Sequence, residues 1–179
     1  MERIRLHDKE FAVYIKDETI QAQIKRLADE IRKDVADKNP LFVVVLNGAF
    51  MFASDLLKEL NVPFEVTFMR CSSYAGTSST GEVKEIIGLG DEIKGRTLVF
   101  IEDIVDSGLT MQTVLENVKA RGVAEARLAT LFLKPKALKC DLKPEYVGFE
   151  IDNEFIVGYG LDYDEMGRAY RDIYKIVAE

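Results

Sequence analysis

The stretch Thr97–Met111, T-L-V-F-I-E-D-I-V-D-S-G-L-T-M, constrains this chain more than any other. Thr97 to Ile101 have high strand propensity and end in two carboxylates, Glu102 and Asp103. Two apolar residues follow, then Asp106, then Ser107-Gly108-Leu109-Thr110 with two hydroxyls and a glycine. A helical pattern starts directly afterwards, with Met111, Val114, Leu115 and Val118 on one stripe. A buried strand, a turn and a helix N-terminus in succession is how open α/β folds hold phosphorylated ligands. Three acids in the same turn require a further chemical task.

The remaining sequence alternates strand and helix patterns. Residues 10 to 15 read as a short strand. From Asp17 to Lys38, Ile20, Ile24, Leu27, Ala28, Ile31 and Val35 recur at helical spacing, with Glu18 in the first turn, and Asn39-Pro40 stops the helix. Leu41 to Leu46 is a continuous Val-rich run, the pattern of a strand buried on both faces of a parallel sheet. Asn47-Gly48 makes a turn into a helix from Ala49 to Leu60, and Gly48 there would let backbone amides approach a phosphate. Phe64 to Arg70 and Val83 to Leu89 are strands of a hairpin whose tip, residues 71 to 81, is dense in Ser, Thr and Gly. That composition is a surface loop, and Tyr74 within it is the lone aromatic expected of a lid. Ala126 to Leu133, Tyr146 to Ile151 and Phe155 to Tyr159 are further strands. Lys134 puts a cation at the carboxyl end of the first of these. The tail from Gly167 offers Ile173, Ile176 and Val177 for packing. The whole reads as one α/β domain, 1–179, with a mainly parallel central sheet flanked by helices.

Composition narrows the function. At 179 residues, 47% hydrophobic and 31% charged, the chain can bury a sizeable core. A formal net charge of -7 makes a poor nucleic-acid platform, though local amides and a metal ion can still hold a small anion. No signal core follows Met1, and the most apolar window, Leu41 to Leu57, is too short to span a membrane. A cytoplasmic setting with reduced Cys71 and Cys140 is expected, and His7 has no companion that would make it catalytic.

Ligands of such a sheet bind outside the carboxyl ends of its strands. That gathers Asn47-Gly48, the run Glu102–Thr110, Lys134 and Asp162 at one crevice. Glu102 and Asp103, adjacent on an extended backbone, point to opposite faces and suit the two hydroxyls of a ribose better than joint chelation of one metal. Asp106 can exchange a proton with a base or cap the following helix. Ser107 to Thr110 can present N–H groups and hydroxyls to a monophosphate.

The motif V-F-I-E-D-I-V-D-S-G-L-T resembles the phosphoribosyl-diphosphate-binding signature of the type I phosphoribosyltransferases. With V-L-N-G-A, S-S-Y, L-K-P and F-I-V-G-Y-G-L-D-Y-D-E, the likeness extends from Leu41 to Arg168 and is nearest the hypoxanthine-guanine branch of that family. The resemblance implies that family's fold, with a small hood and a flexible lid hairpin. It implies that Glu102 and Asp103 bind ribose and outer-sphere magnesium, that Asp106 is the general base or acid at purine N7, and that Ser107, Gly108, Leu109 and Thr110 bind the 5′-phosphate. Leu46, Asn47, Gly48 and Ala49 would hold diphosphate around a non-proline cis peptide. Lys134 would donate to the oxygen at purine C6, Phe155 would stack on the base, and Ile156 would meet its edge through the backbone. Asp162 would ligate a second Mg2+, Arg168 would contact diphosphate, and Ser73 and Tyr74 would lie on the lid.

The implied reaction is Mg-dependent transfer of ribose-5-phosphate to N9 of hypoxanthine and of guanine, giving IMP or GMP and diphosphate. The implied partners are phosphoribosyl diphosphate, a 6-oxopurine and further copies in a homodimer or homotetramer, with no nucleic acid and no membrane. A preference for xanthine and an RNA-binding regulator built on the same signature are the alternatives. Asn47 and Leu109 stand where relatives carry lysine, and Gly167 stands where an aromatic is usual. Tyr170-Arg171 therefore competes with Arg168 for the diphosphate role.

Overall fold

The computed structural model describes residues 2–73 and 83–177. The chain opens with β1 (Arg3–Leu6), β2 (Lys9–Ile15), α1 (Asp17–Val35), β3 (Leu41–Leu46) and α2 (Phe50–Leu60). The hairpin β4 (Glu65–Ser73) and β5 (Val83–Ile87) follows, then β6 (Thr97–Val105), α3 (Leu109–Ala120) and β7 (Glu125–Leu133). Three shorter strands finish it: β8 (Tyr146–Glu150), β9 (Ile156–Val157) and β10 (Ile173–Ile176).

The main sheet has the order β5-β4-β3-β6-β7-β8. Its members from β4 to β8 in that order are mutually parallel, and β5 pairs antiparallel with β4. The continuous apolar runs lie at its centre because helices cover both faces there. On one face α1 and α2 bury Ile24, Leu27 and Leu56 against Phe42, Val44 and Ile101. On the other, the α3 stripe packs with Val43, Val45 and Phe100. All six apolar positions expected along α1 are buried. A second, antiparallel sheet of order β1-β2-β10-β9 forms the hood, packed around Leu6, Phe11, Val157 and Tyr174.

Several boundaries differ from the sequence reading. β6 does not stop at Ile101: Glu102 and Ile104 continue the ladder opposite Thr130 and Phe132, so the two acids lie inside the strand. β7 supplies that extension, and no local propensity reports it. β9 is cut to two residues because Gly158, Tyr159 and Gly160 all have positive φ. β1 and β10 are too short for periodicity to reveal, and each forms by pairing with β2. Ser73 ends β4, while Tyr74 lies outside the described residues.

The start of α1 illustrates how the C-terminal segment is tied back. Lys16 at the N-cap position makes no side-chain cap. Instead the Asp17 N–H donates to Asp172 Oδ1 at 2.8 Å, and Lys16 Nζ reaches Asp172 Oδ2 at 2.8 Å. The lysine is largely exposed, so the cap outweighs the ion pair. Asp172→Ala should lower unfolding stability in urea by about 1–2 kcal/mol, the usual cost of a lost helix cap. An unchanged midpoint would refute the assignment.

Candidate active site

The site forms where the parallel strands end. β3 delivers the turn 47–49, entered through a cis peptide between Leu46 and Asn47. β6 delivers Glu102 to Asp106, and the following turn leads into α3. Between them lies a cavity of about 300 Å³ lined by Leu46, Glu102, Asp103, Asp106, Ser107 and Thr110, among others.

Glu102 and Asp103 are not held apart as strand alternation suggested. Both line this cavity, because the longer Glu102 arm folds back and its Oε1 accepts the Asp103 N–H at 3.3 Å. Asp103 Oδ1 accepts the Ile104 N–H at 2.8 Å. Burial first, and then the neighbouring Asp103 charge, push the Glu102 carboxyl well above the ordinary carboxylate range. Burial also raises Asp103, against the opposing effects of the Glu102 and Ile104 hydrogen bonds and the Arg168 charge. The pair is therefore short of positive charge.

Turn 106–110 has the geometry of an anion site. Gly108 at φ 77° is the N-cap of α3, whose first turn carries no acidic residue and no side-chain cap. The partial positive charge of a helix start thus lies at the cavity, which Gly108, Thr110 and Met111 line. The Leu109 N–H lies 3.4 Å from Ser107 Oγ. Asp106 does not cap the helix.

Instead Asp106 Oδ2 accepts from Lys134 Nζ at 2.9 Å. Lys134 is 8% exposed, and its N–H donates to the Val105 carbonyl at 3.0 Å, which sets it beside the end of β6. A long cation is rarely buried so deeply unless it is paired.

The hood contributes the remaining candidates. Phe155 is 42% exposed, its ring at 6.0 Å from Phe11 and edge-on to Tyr163 at 5.7 Å. Ile156 is buried in β9. Neither lines the cavity. Asp162 Oδ1 pairs with Arg168 Nη2 at 2.9 Å, and Asp162 Oδ2 accepts the Glu165 N–H at 2.8 Å. Arg168 Nη1 donates to the Gly160 carbonyl at 2.9 Å, and the Arg168 charge acts on Asp103. Arg171 is exposed. His7 sits away from the cavity, against Tyr163 and the Asp164 carbonyl.

Two features were not read from the sequence. Behind the phosphate turn, Leu138 and Cys140 crowd the face of Gly108, where a Cβ would meet both at 2.9 Å. Beside the other turn, a Cβ on Gly48 would overlap Asp103 Oδ2, and one on Gly160 would overlap the Gly48 carbonyl. The doublet of glycines around Tyr159 was the available signal.

Glu102 and Asp103 fit a divalent cation, since they are hard oxygen donors that lack compensating charge. Among the described residues no group of three or more His, Cys, Asp or Glu converges. Two carboxylates alone fall short of a full coordination set for such an ion.

Gly48→Ala should displace the Asp103 carboxylate and cost about 1–3 kcal/mol, the usual range for overpacking. Thermal unfolding checks this, and a variant as stable as the parent would contradict the packing described.

Residues 15–164 match the phosphoribosyl transferase domain family. The hypoxanthine-guanine phosphoribosyltransferase of Streptococcus thermophilus is 44% identical over 152 residues, covering 84% of each chain. The enzyme of the same name from Bacillus subtilis is 43% identical over 163 residues, or 90% of each. A crystal structure of a hypoxanthine phosphoribosyltransferase from Staphylococcus aureus matches with a TM-score of 0.88 at 39% identity, covering 93% of this chain and 91% of that one. With the turn at the helix start, the acidic pair and the buried lysine in place, the chain belongs to the phosphoribosyl transferase family.

Proposed function

We propose that this purine-salvage transferase moves ribose-5-phosphate from phosphoribosyl diphosphate to N9 of hypoxanthine, and of guanine, with release of diphosphate. One observation carries the choice of base: Asp106, which lines the cavity, accepts from Lys134 Nζ at 2.9 Å. A donor-only ammonium beside a carboxylate matches the neighbouring O6 and N7–H of a 6-oxopurine, whereas a 6-amino group would meet the ammonium donor to donor. The names of the similar proteins support the same reading.

In this reading, residues 107–110 bind the 5′-phosphate through the α3 start, and Glu102 and Asp103 hold the ribose hydroxyls. Residues 46–49 and Arg168 hold the diphosphate. Arg168, bonded to Asp162 and to the Gly160 carbonyl, is preferred to the exposed Arg171. Lys134 polarises O6, and Asp106 manages the N7 proton so that N9 becomes the stronger nucleophile. Glu102 and Asp103 also sit favourably for the positive charge that develops on the ribose ring. Phe155 stacks on the base and Ile156 meets its edge. Ser73 and Tyr74 belong to the lid that excludes water.

Glu102 and Asp103 on one side, and Asp162 on the other, would hold Mg2+, which when bound neutralises charge on the leaving diphosphate. A homodimer or homotetramer is the proposed assembly, testable by sedimentation velocity. Among the described residues no helix is long and apolar enough to cross a membrane, and we propose a cytoplasmic setting.

Steady-state rates with hypoxanthine, guanine, xanthine and adenine test the assignment, with the two 6-oxopurines first named expected to lead. Asp106→Asn should keep the fold and slow turnover by roughly 10²-fold, the usual scale for losing a general acid-base group. Near-normal turnover would remove Asp106 from that role. Lys134→Ala should raise KM for the purine and leave KM for phosphoribosyl diphosphate unchanged. A rise confined to phosphoribosyl diphosphate would show that Lys134 serves the other substrate.

A further inference from the structure

Gly158, Tyr159 and Gly160 have φ of 99°, 47° and 100° in succession. A tyrosine in the left-handed region is disfavoured and persists only where its surroundings over-determine it. Here both flanking glycines are fixed by backbone from distant segments. A Cβ on Gly158 would overlap the Asp172 carbonyl, and one on Gly160 would overlap the Gly48 carbonyl. Between them the Tyr159 side chain is 2% exposed, and its hydroxyl donates to Asp55 Oδ2 at 2.5 Å. Gln21 Nε2 lies 3.3 Å from the Tyr159 hydroxyl, 3.1 Å from Asp55 Oδ2 and 2.9 Å from Asp17 Oδ1, and the exposed Lys58 pairs with Asp55 Oδ1 at 2.6 Å.

The position of this cluster gives it meaning. Asp55 lies on α2, the helix that leaves the 46–49 turn. The Tyr159 N–H donates to the Tyr170 carbonyl at 2.8 Å, and the Gly160 N–H to the Arg168 carbonyl at 2.9 Å. Arg168 returns a guanidinium bond to the Gly160 carbonyl. One buried phenol thus links the helix behind one wall of the diphosphate end to the loop that carries the other. Neither the hydroxyl nor Asp55 lines the cavity.

We propose that Tyr159 is a positioning residue for the diphosphate end of the site. Its bond to Asp55 seats Gly160 on Gly48 and thereby sets the spacing between the 46–49 turn and Arg168. The inference rests on the proposed reading that these two elements hold diphosphate. It makes no claim on the purine end, where Asp106 and Lys134 are held by β6 and β7.

Calorimetric titration of inorganic diphosphate with Mg2+, together with steady-state KM values for both substrates, tests it. Tyr159→Phe removes only the hydroxyl. It should weaken diphosphate binding and raise KM for phosphoribosyl diphosphate by about tenfold, the equivalent of one hydrogen bond, with KM for hypoxanthine within about twofold. A variant that is less stable but binds diphosphate as the parent does would overturn the inference, as would equal increases in both KM values. Should Tyr159→Phe not fold, Asp55 provides the second arm. Asp55→Asn keeps an acceptor and should bind diphosphate like the parent, whereas Asp55→Leu should show the tenfold loss. Equal affinities for those two variants would reject the role. Failure of the underlying reading is distinguishable, because the parent protein itself would then neither bind diphosphate nor transfer ribose-5-phosphate.

Discussion

The absence of a side chain at position 48 is the constraint on which the site depends. The space a Cβ would take is filled by the Asp103 carboxylate, and the Gly48 carbonyl in turn fills the space beside Gly160. Three segments far apart in sequence therefore meet at one point: the turn after β3, the end of β6 and the loop leading out of β9. Close packing transmits any shift at such a point to all three. The turn before α3 is braced similarly, with Gly108 backed by Leu138 and Cys140. Both turns are thus fixed from behind by packing.

Charge at the site is divided into unequal parts. Asp106 is neutralised by Lys134 and Asp162 by Arg168, each at 2.9 Å. Among the described residues no cation pairs with Glu102 or Asp103 in this way, and burial together with the Asp103 charge raises Glu102 well above its ordinary range. The arrangement suits a reaction in which positive charge arises on the ribose and a cation accompanies the diphosphate. A chain of net charge -7 thus still has local sources of positive potential at this crevice, in the start of α3 and in the Lys134 and Arg168 side chains.

Much of this was legible from residues alone. The six buried positions of α1, the α3 stripe and the continuous apolar runs of β3 and β6 follow from periodicity, which is a local property. The order of strand, acids, hydroxyls and helix from Thr97 to Met111 was legible for the same reason. The resemblance added roles for Lys134, Asp162 and Arg168 that spacing could not supply.

Other features were not legible, because they depend on pairing between distant segments. Strands β1 and β10 exist through β2, and β6 reaches Val105 because β7 extends beside it. Asp172 caps a helix that starts 155 residues earlier. The return of Glu102 toward Asp103 defeats simple strand alternation, since a long side chain can fold back where a short one cannot. By itself the sequence determined the helices and the central strands of the main sheet, since these are written in short-range pattern. The tertiary structure alone decided that Asp106 faces Lys134, that Arg168 pairs with Asp162 and the Gly160 carbonyl, and that Gly48 lies between Asp103 and Gly160. Those relations are distances across the packed fold, and no local run of residues encodes them.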